Sequence, residues 1–493
     1  MPNRFGHLLA RNFTFKVTSQ LLAAIMAFVS MLVMTRYVAN EYGVMMWGLA
    51  LISLVNTVAD LGFNSANLKF IAKEGYDKQA CFSTFMVIKF ILTALMVIIT
   101  LATVFLMRAT GSINDEAVGV CLVFIVYQVI SNVQFAIYYT LDGMMKSGKS
   151  SILTIVECSI RNTILIALAI MYVDPITLSS AYVVATSVSV IVSIILIWKE
   201  GMRPVRPKYL KEYAVFAAPL AAALILTSVV SNLDKVIVGL FYESIEVTYY
   251  STAVGTIATF TAIGVSMNTV LLPHLSKNVQ DSAQTEKTLW GLERLLCTIL
   301  LPLIAFFMIL GPQIAAVLFG SAMTPSGSMI AILSVHIIPF VFAGLMTQIL
   351  YAVNRGKAYL RASFVLCFAA IIGFVLLIPN TGIIPFDYAY GGIGAATSVV
   401  IAYTLFLLVL VKMVKSYTGF RLYPRLWKIA IAFILTLGLL YLEDQYFTID
   451  GLLMLAVSGI SAEVVFLGLM ILFRELKVKY LLSIWKKLRD DSD

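Results

Sequence analysis

The sequence predicts an all-α polytopic membrane protein of about fourteen transmembrane helices, arranged as two six-helix lobes in a parallel pseudo-two-fold repeat plus two C-terminal helices. Three observations predict it. The 493 residues are 60% hydrophobic and only 12% charged, against about 45–50% and about 25% in ordinary soluble domains. The apolar residues gather in runs long enough to cross hydrocarbon, which takes about 20 residues. The basic residues fall in alternate short loops between those runs.

Taken in order, the runs lie near 13–36, 44–63, 80–107, 117–141, 151–173, 177–198, 214–241, 246–272, 288–311, 328–351, 359–378, 390–411, 426–442 and 451–473. The first follows "MPNRFGHLLARNF", is too long for the apolar part of a signal peptide and carries Gln20, so it reads as an uncleaved span. Only "DPIT" divides the fifth from the sixth. With the N-terminus in the cytoplasm, Arg108 is the one basic residue in an outer loop. Lys16, Arg36, Lys89, Arg161, Lys235 and Arg294 lie within or beside spans, and the rest of the 35 Lys and Arg are on the inner side. Losing or adding one span would scramble that asymmetry, so both termini are expected in the cytoplasm of a multi-pass cytoplasmic (inner or plasma) membrane protein.

The two longest inner linkers, 199–213 and 412–428, set the expected organisation. An N-terminal lobe covers 1–198, a cytoplasmic linker 199–213, and a C-terminal lobe 214–411. A basic linker with two extra spans fills 412–473, and 474–493 is a basic cytoplasmic tail whose apolar and basic groups alternate at helical spacing.

Topology accounts for most of the +9 net charge, and no basic face or motif points to nucleic acid. Cys81, Cys121, Cys158, Cys297 and Cys367 form no CxxC, and His7, His274 and His336 have no metal spacing. No metal or cofactor is expected. Walker, HExxH and GxSxG motifs are absent, so the chain is not expected to be an enzyme.

"TRYVANEYGVMMWG" begins the turn between spans one and two, and "GLFYESIEVTYYST" begins the turn between seven and eight. Six spans per block give both blocks one orientation, hence a parallel repeat with a site between the halves near the midplane. These segments, with "ADLGFNSANLKFIAKEG", "SNLDKVIVGLF", "YYSTAVG", "LLPHLSK" and "AAVLFG", resemble polysaccharide flippases of the Wzx type. Those belong to the multidrug/oligosaccharidyl-lipid/polysaccharide exporter superfamily. The resemblance covers roughly residues 10 to 415. Many members of the family have twelve spans; the extra pair after residue 420 resembles instead the lipid II flippase, which by analogy alone implies a lipid groove.

A charge at the bilayer centre costs about 2.5–3.5 kcal/mol on insertion scales, so each one within a span needs a reason. Lys16 can reach the inner interface and Arg36 the outer. Asn56, Asp60 and Asn64 make a polar stripe at i, i+4, i+8 of span two. Lys89 lies about 14 Å inside span three. Gln128 and Asn132 are a turn apart in span four. Glu157 and Arg161 are i, i+4 in span five, either a self-neutralising pair or an Arg fork held toward a cavity, where its planar donors suit phosphate. Glu293 and Arg294 are adjacent near the inner end of span nine, where interface anchoring competes.

In "SNLDKVIVGLF", Ser231, Asp234 and Lys235 share a broad face with Thr227 and Ser228 just before it, as in a helix lining a wet cleft. Span eight repeats the pattern with Thr252, Thr256, Thr259 and Ser266. Pro219, Pro302 and Pro339 fall within spans of the second lobe and could bend them.

Among the ten charges, six cations face four carboxylates, which suits an anionic cargo. The reading is a flippase that moves a polyprenyl-diphosphate oligosaccharide by alternating access for surface glycan assembly. Arg161, Lys89 and Lys235 would hold the diphosphate, with Arg36, Lys16 and Arg294 adding positive charge. Asp60, Glu157, Asp234 and Glu293 would serve as charge partners or couple H+ or Na+. Asn56, Gln128, Asn132, Ser228, Ser231, Thr252 and Thr256 would line the cavity. The expected partners are the polyprenyl-linked sugar, membrane lipids and polysaccharide assembly proteins, with the chain itself a monomer. An ion-coupled multidrug antiporter on the same fold is the alternative; a membrane-embedded glycosyl- or acyltransferase is the reading from another class.

Overall fold

The computed structural model describes residues 2–278, 282–353, 355–380, 390–447, 449 and 451–476. The side chains of His7, Pro219, Ser266 and His274, and most of the basic tail (477–493), lie outside the described residues.

Among the described residues there are fifteen α-helices and no strand. They are α1 (Pro2–Tyr37), α2 (Ala39–Asn56), α3 (Phe63–Ala72), α4 (Lys78–Ala109), α5 (Asp115–Gly143), α6 (Ser147–Ile170), α7 (Pro175–Lys199) and α8 (Leu210–Phe241). Then follow α9 (Ser244–Asn278), α10 (Ser282–Phe319), α11 (Thr324–Ala352), α12 (Gly356–Leu377), α13 (Gly392–Thr418), α14 (Leu426–Tyr446) and α15 (Leu452–Leu472). Thirteen stretches of the described helices are long and apolar enough to cross a membrane, and α9 stands where the eighth span is expected. The chain is a multi-pass membrane protein of about fourteen spans. The narrow division at "DPIT" is real: Asp174 caps α7, accepting from Ile176 N and Thr177 N at 3.1 Å and from the Thr177 hydroxyl at 2.7 Å. Those bonds, the Thr177 hydroxyl's foremost, hold its carboxyl below the ordinary value.

One helix was not expected. The second apolar run does not continue to residue 63. It stops at Asn56, passes through a 3-10 turn (Thr57–Ala59) and restarts as α3. Leu61 (φ 43°) and Gly62 (φ 84°) both take left-handed backbone there. Glycine has no Cβ penalty in that region, whereas leucine does.

The chain divides into two compact units, 1–255 with 367–395, and 256–366 with 396–493. In the first unit α1 packs on α6, α5 on α7, and α2 on both α5 and α8. Bilayer lipid is as apolar as leucine, so such helices are held by close packing and polar bonds. The α2–α8 contact illustrates both. The Trp47 indole N–H donates to the Val236 carbonyl at 3.2 Å, and a Cβ on Gly239 would collide with its ring. The two echoing segments of the sequence also meet here, the Thr248 hydroxyl donating to the Ala39 carbonyl at 2.6 Å. A core of Phe70, Ile71, Phe85, Ile88 and Tyr213 ties α3, α4 and α8 together, and the Tyr213 hydroxyl donates to Asn67, which donates to Thr140 of α5.

In the second unit α10 is the central post, packed on α11, α14 and α15. At Gly311 and Gly327 the backbones of α10 and α11 approach so closely that a Cβ on either would strike the other helix. Pro302 and Pro312 lie inside α10 and Pro339 inside α11, without ending either helix. Gln313 of α10 donates to Asp444 of α14 at 2.5 Å.

Candidate functional site: a polar cavity at a broken helix

The break after α2 builds the site. Asp60 accepts from Asn64 N at 3.1 Å, which satisfies a donor at the start of α3. Interrupting the helix frees the Ala59 carbonyl, and Lys89 of α4 donates its ammonium to that oxygen at 3.0 Å. The same ammonium is 3.9 Å from Asp60 Oδ1 and lies over the Phe85 ring at 5.8 Å. Lys89 is only 4% exposed. Irregular backbone within a membrane protein is tolerated where it is buried in protein or lines a cavity, and this one does both.

Beside it lies a cavity of about 370 Å³ within the first unit. Asn56, Thr57 and Asp60 form one wall, Asn64 and Lys89 another, Asn132 and Tyr139 a third, and Thr227, Ser228, Ser231 and Asn232 of α8 the fourth. The walls are tied to one another. Asn132 donates to Asn56 Oδ1 at 2.9 Å, and the Thr57 hydroxyl donates to the Ser228 hydroxyl. Asn64 Oδ1 is buried without a hydrogen-bond partner.

Thus Asn56, Asp60, Asn132, Ser228 and Ser231, chosen from helical spacing, and Lys89, chosen for its depth in span three, line one cavity. Thr57, Asn232 and Tyr139 were missed. The Thr57 and Asn232 signals were present, since both adjoin the polar residues singled out on their helices. Their facing depended on where α2 breaks. The cavity carries one cation and one carboxylate, so the six-to-four surplus of the sequence is not the charge of this chamber.

The remaining candidates lie elsewhere. Arg161 does not line the cavity. Its Nη1 donates to Glu157 at 3.0 Å, its Nη2 contacts Cys158 Sγ at 3.4 Å, and its guanidinium covers the Tyr182 ring at 5.0 Å. Tyr182 packs edge-on against Phe124 and Tyr127. Gln134 donates to the other Glu157 oxygen and to Ser189, both at 2.9 Å. This is a partly buried charge pair held among α5, α6 and α7.

Asp234 and Lys235 lie behind the α8 wall, both buried. Asp234 accepts from the Tyr250 hydroxyl at 2.7 Å, and Lys235 Nζ donates to the Ser231 carbonyl at 3.2 Å and lies 3.6 Å from Asp234. Lys16 pairs with Asp142, an acid the sequence did not single out. Arg36 is exposed in the last turn of α1. Gln128, Thr252 and Thr256 are buried outside the cavity lining.

Arg294 is half-buried on α10. Its neighbour Glu293 is buried and accepts from Tyr423 N at 2.8 Å. Glu286 accepts from Arg421 N at 3.1 Å, and Trp290 donates to the Arg421 carbonyl at 2.8 Å. The basic linker is therefore strapped along α10.

A lipid II flippase, MurJ, in an inward closed conformation shares this fold. The TM-score is 0.72 at 15% identity, over 93% of this chain and 99% of that one. A multidrug resistance MATE family transporter of the MOP superfamily, inward-facing, matches at a TM-score of 0.59 and 13% identity, over 80% and 94% of the two chains. No curated protein matches the sequence. The model of one family, described as polysaccharide biosynthesis protein, matches residues 9–279. That match takes in more than half of the chain and every wall of the cavity, and the chain belongs to the polysaccharide biosynthesis protein family, on a fold it shares with lipid II and multidrug transporters.

Proposed function

We propose that the protein is a flippase for a lipid-linked oligosaccharide on a polyprenyl diphosphate. The observation that carries this reading is the polar cavity with the Lys89 ammonium in its wall. Amide and hydroxyl groups suit sugars, and a buried ammonium suits a phosphate oxygen. Its walls come from residues 53–139 and 224–232, that is, from both of the expected lobes, 1–198 and 214–411. Rocking of those lobes would open the cavity first to the cytoplasmic leaflet and then outside, with both termini in the cytoplasm. The family membership and the fold shared with a lipid II flippase support the same reading.

In this scheme Lys89 takes the diphosphate contact, while Arg161 and Lys235 hold the helices that position it. Asp60, 3.9 Å from Lys89, is where a proton or Na+ would couple to the cargo. The protein works as a transporter rather than an enzyme, as a monomer in the cytoplasmic membrane, receiving cargo beside polysaccharide assembly proteins. The test is Lys89→Ala in cells. Surface glycan should disappear, lipid-linked sugar should build up on the inner leaflet, and the protein should still insert. Normal export with Lys89→Ala would end the proposal.

The Asp60 carboxylate in the same cavity favours a second reading, an ion-coupled multidrug antiporter. A resistance assay with cationic drugs decides it: expression that raises tolerance, lost in Asp60→Asn, would replace the flippase reading.

A further inference from the structure

A second cavity, about 400 Å³ and almost wholly apolar, lies between α4 and α5 on the far side of Lys89. Phe90, Ala94, Val97 and Ile98 of α4 and Val129 and Val133 of α5 line it. Two residues, Lys89 and Asn132, belong to this groove and to the polar cavity alike. The outer rim is exposed: Phe90 is 78% and Ile98 64% accessible, so in a bilayer it opens to acyl chains. From Lys89 to Ile98 the groove follows α4 for about 14 Å.

Lys89 therefore marks the junction of a wet chamber and a dry channel. Its ammonium has three donors. One is used on Ala59, and Asp60 at 3.9 Å is beyond a hydrogen bond. An anionic group at this junction would complete it, with a polar head in one chamber and a hydrocarbon tail in the other.

We propose that the α4–α5 groove holds the first part of the polyprenyl tail of the cargo, with the diphosphate at Lys89. This rests on the flippase reading and deepens it. It places the tail on α4 and α5 instead of along the last two helices, where the sequence comparison by analogy put it. The charge at the junction argues for the cargo over bulk lipid: a bilayer phospholipid has no sugar to fill the amide- and hydroxyl-lined chamber on the other side of Lys89.

The experiment uses the full-length protein in native membrane vesicles and a photoreactive polyprenyl diphosphate. The label is expected on residues 86–98 and 129–133. Ala94→Trp, which fills the groove from an exposed position, should cut labelling about tenfold, and Ile91→Trp, exposed on α4 outside the groove, should leave it unchanged. Val129→Trp serves as the second groove variant if Ala94→Trp fails to accumulate. Unlabelled polyprenyl phosphate should compete, and phosphatidylglycerol should not. Equal labelling by a photoreactive phosphatidylglycerol would overturn the proposal by making the groove a site for bulk lipid. Label on α14 and α15 with export intact would overturn the groove and leave the flippase reading standing. No label anywhere, together with no build-up of lipid-linked sugar when the gene is deleted, would overturn both.

Discussion

The Lys89 ammonium donates to the Ala59 carbonyl at 3.0 Å, across from one helix to the broken end of another. That single bond joins the break in α2, the polar cavity and the apolar groove. Removing it has two consequences that can be separated. Lys89→Met should lose export and also lower stability by about 1–3 kcal/mol, because the Ala59 oxygen is left without its donor. Lys89→Arg keeps a donor and should restore stability more fully than export. Thermal unfolding in detergent beside a surface-glycan assay reads both.

Arg161→Ala removes the cation and leaves Glu157 with Gln134 as its partner. The two side chains keep 18% and 17% of their surface, so breaking the pair should cost less than the about 3–5 kcal/mol of a fully buried one, and the variant should accumulate at a reduced level. Replacing both, Glu157→Gln with Arg161→Met, should recover most of that loss and restore export. A double variant that is stable yet inactive would return Arg161 to the phosphate-holding role expected from sequence.

Gly62→Ala should destabilise by about 1–2 kcal/mol, since its φ of 84° is one that an L side chain adopts at a penalty. The added methyl would also press on Leu220 of α8. Asp60 and Thr57 would shift with it, so export should fall further than the stability loss alone predicts. Comparison with Gly75→Ala, where φ is 87° but nothing lies near, isolates the packing part.

Tyr250→Phe deletes the hydroxyl that Asp234 accepts from at 2.7 Å. A bond to a buried carboxylate contributes about 1.5–3 kcal/mol, and thermal unfolding should report a loss in that range. Asp234→Asn with Tyr250 intact keeps that bond, since the amide oxygen still accepts, but it strips buried Lys235 of the charge 3.6 Å away and should cost more.

Glu293→Ala should loosen the linker that carries α14 and α15, because Tyr423 N loses its acceptor. The expected readout is faster proteolysis between residues 418 and 425. Glu293→Gln keeps an acceptor and should be cut at the parental rate.

The sequence determined by itself that this chain crosses a membrane about fourteen times. A helix that crosses hydrocarbon must be long and apolar, and that demand is written in composition and run length. The sequence also marked which residues carry polar groups into the bilayer, because each such group is costly and therefore stands out: Asn56, Asp60, Asn132, Ser228 and Ser231 were legible on helical spacing, and Lys89 on its depth in span three. Which of them meet was decided by tertiary structure. Glu157 and Arg161 look as suited to a cavity as Lys89 does, until Tyr182 of α7 and Gln134 of α5, itself held by Ser189, engage them. The break at Leu61 and Gly62 turned the polar stripe of the second span into a cavity wall and released the Ala59 oxygen to Lys89. Helical periodicity describes the faces of one helix, whereas a chamber is made by the faces of several, and their rotation is set by packing contacts far apart in the chain.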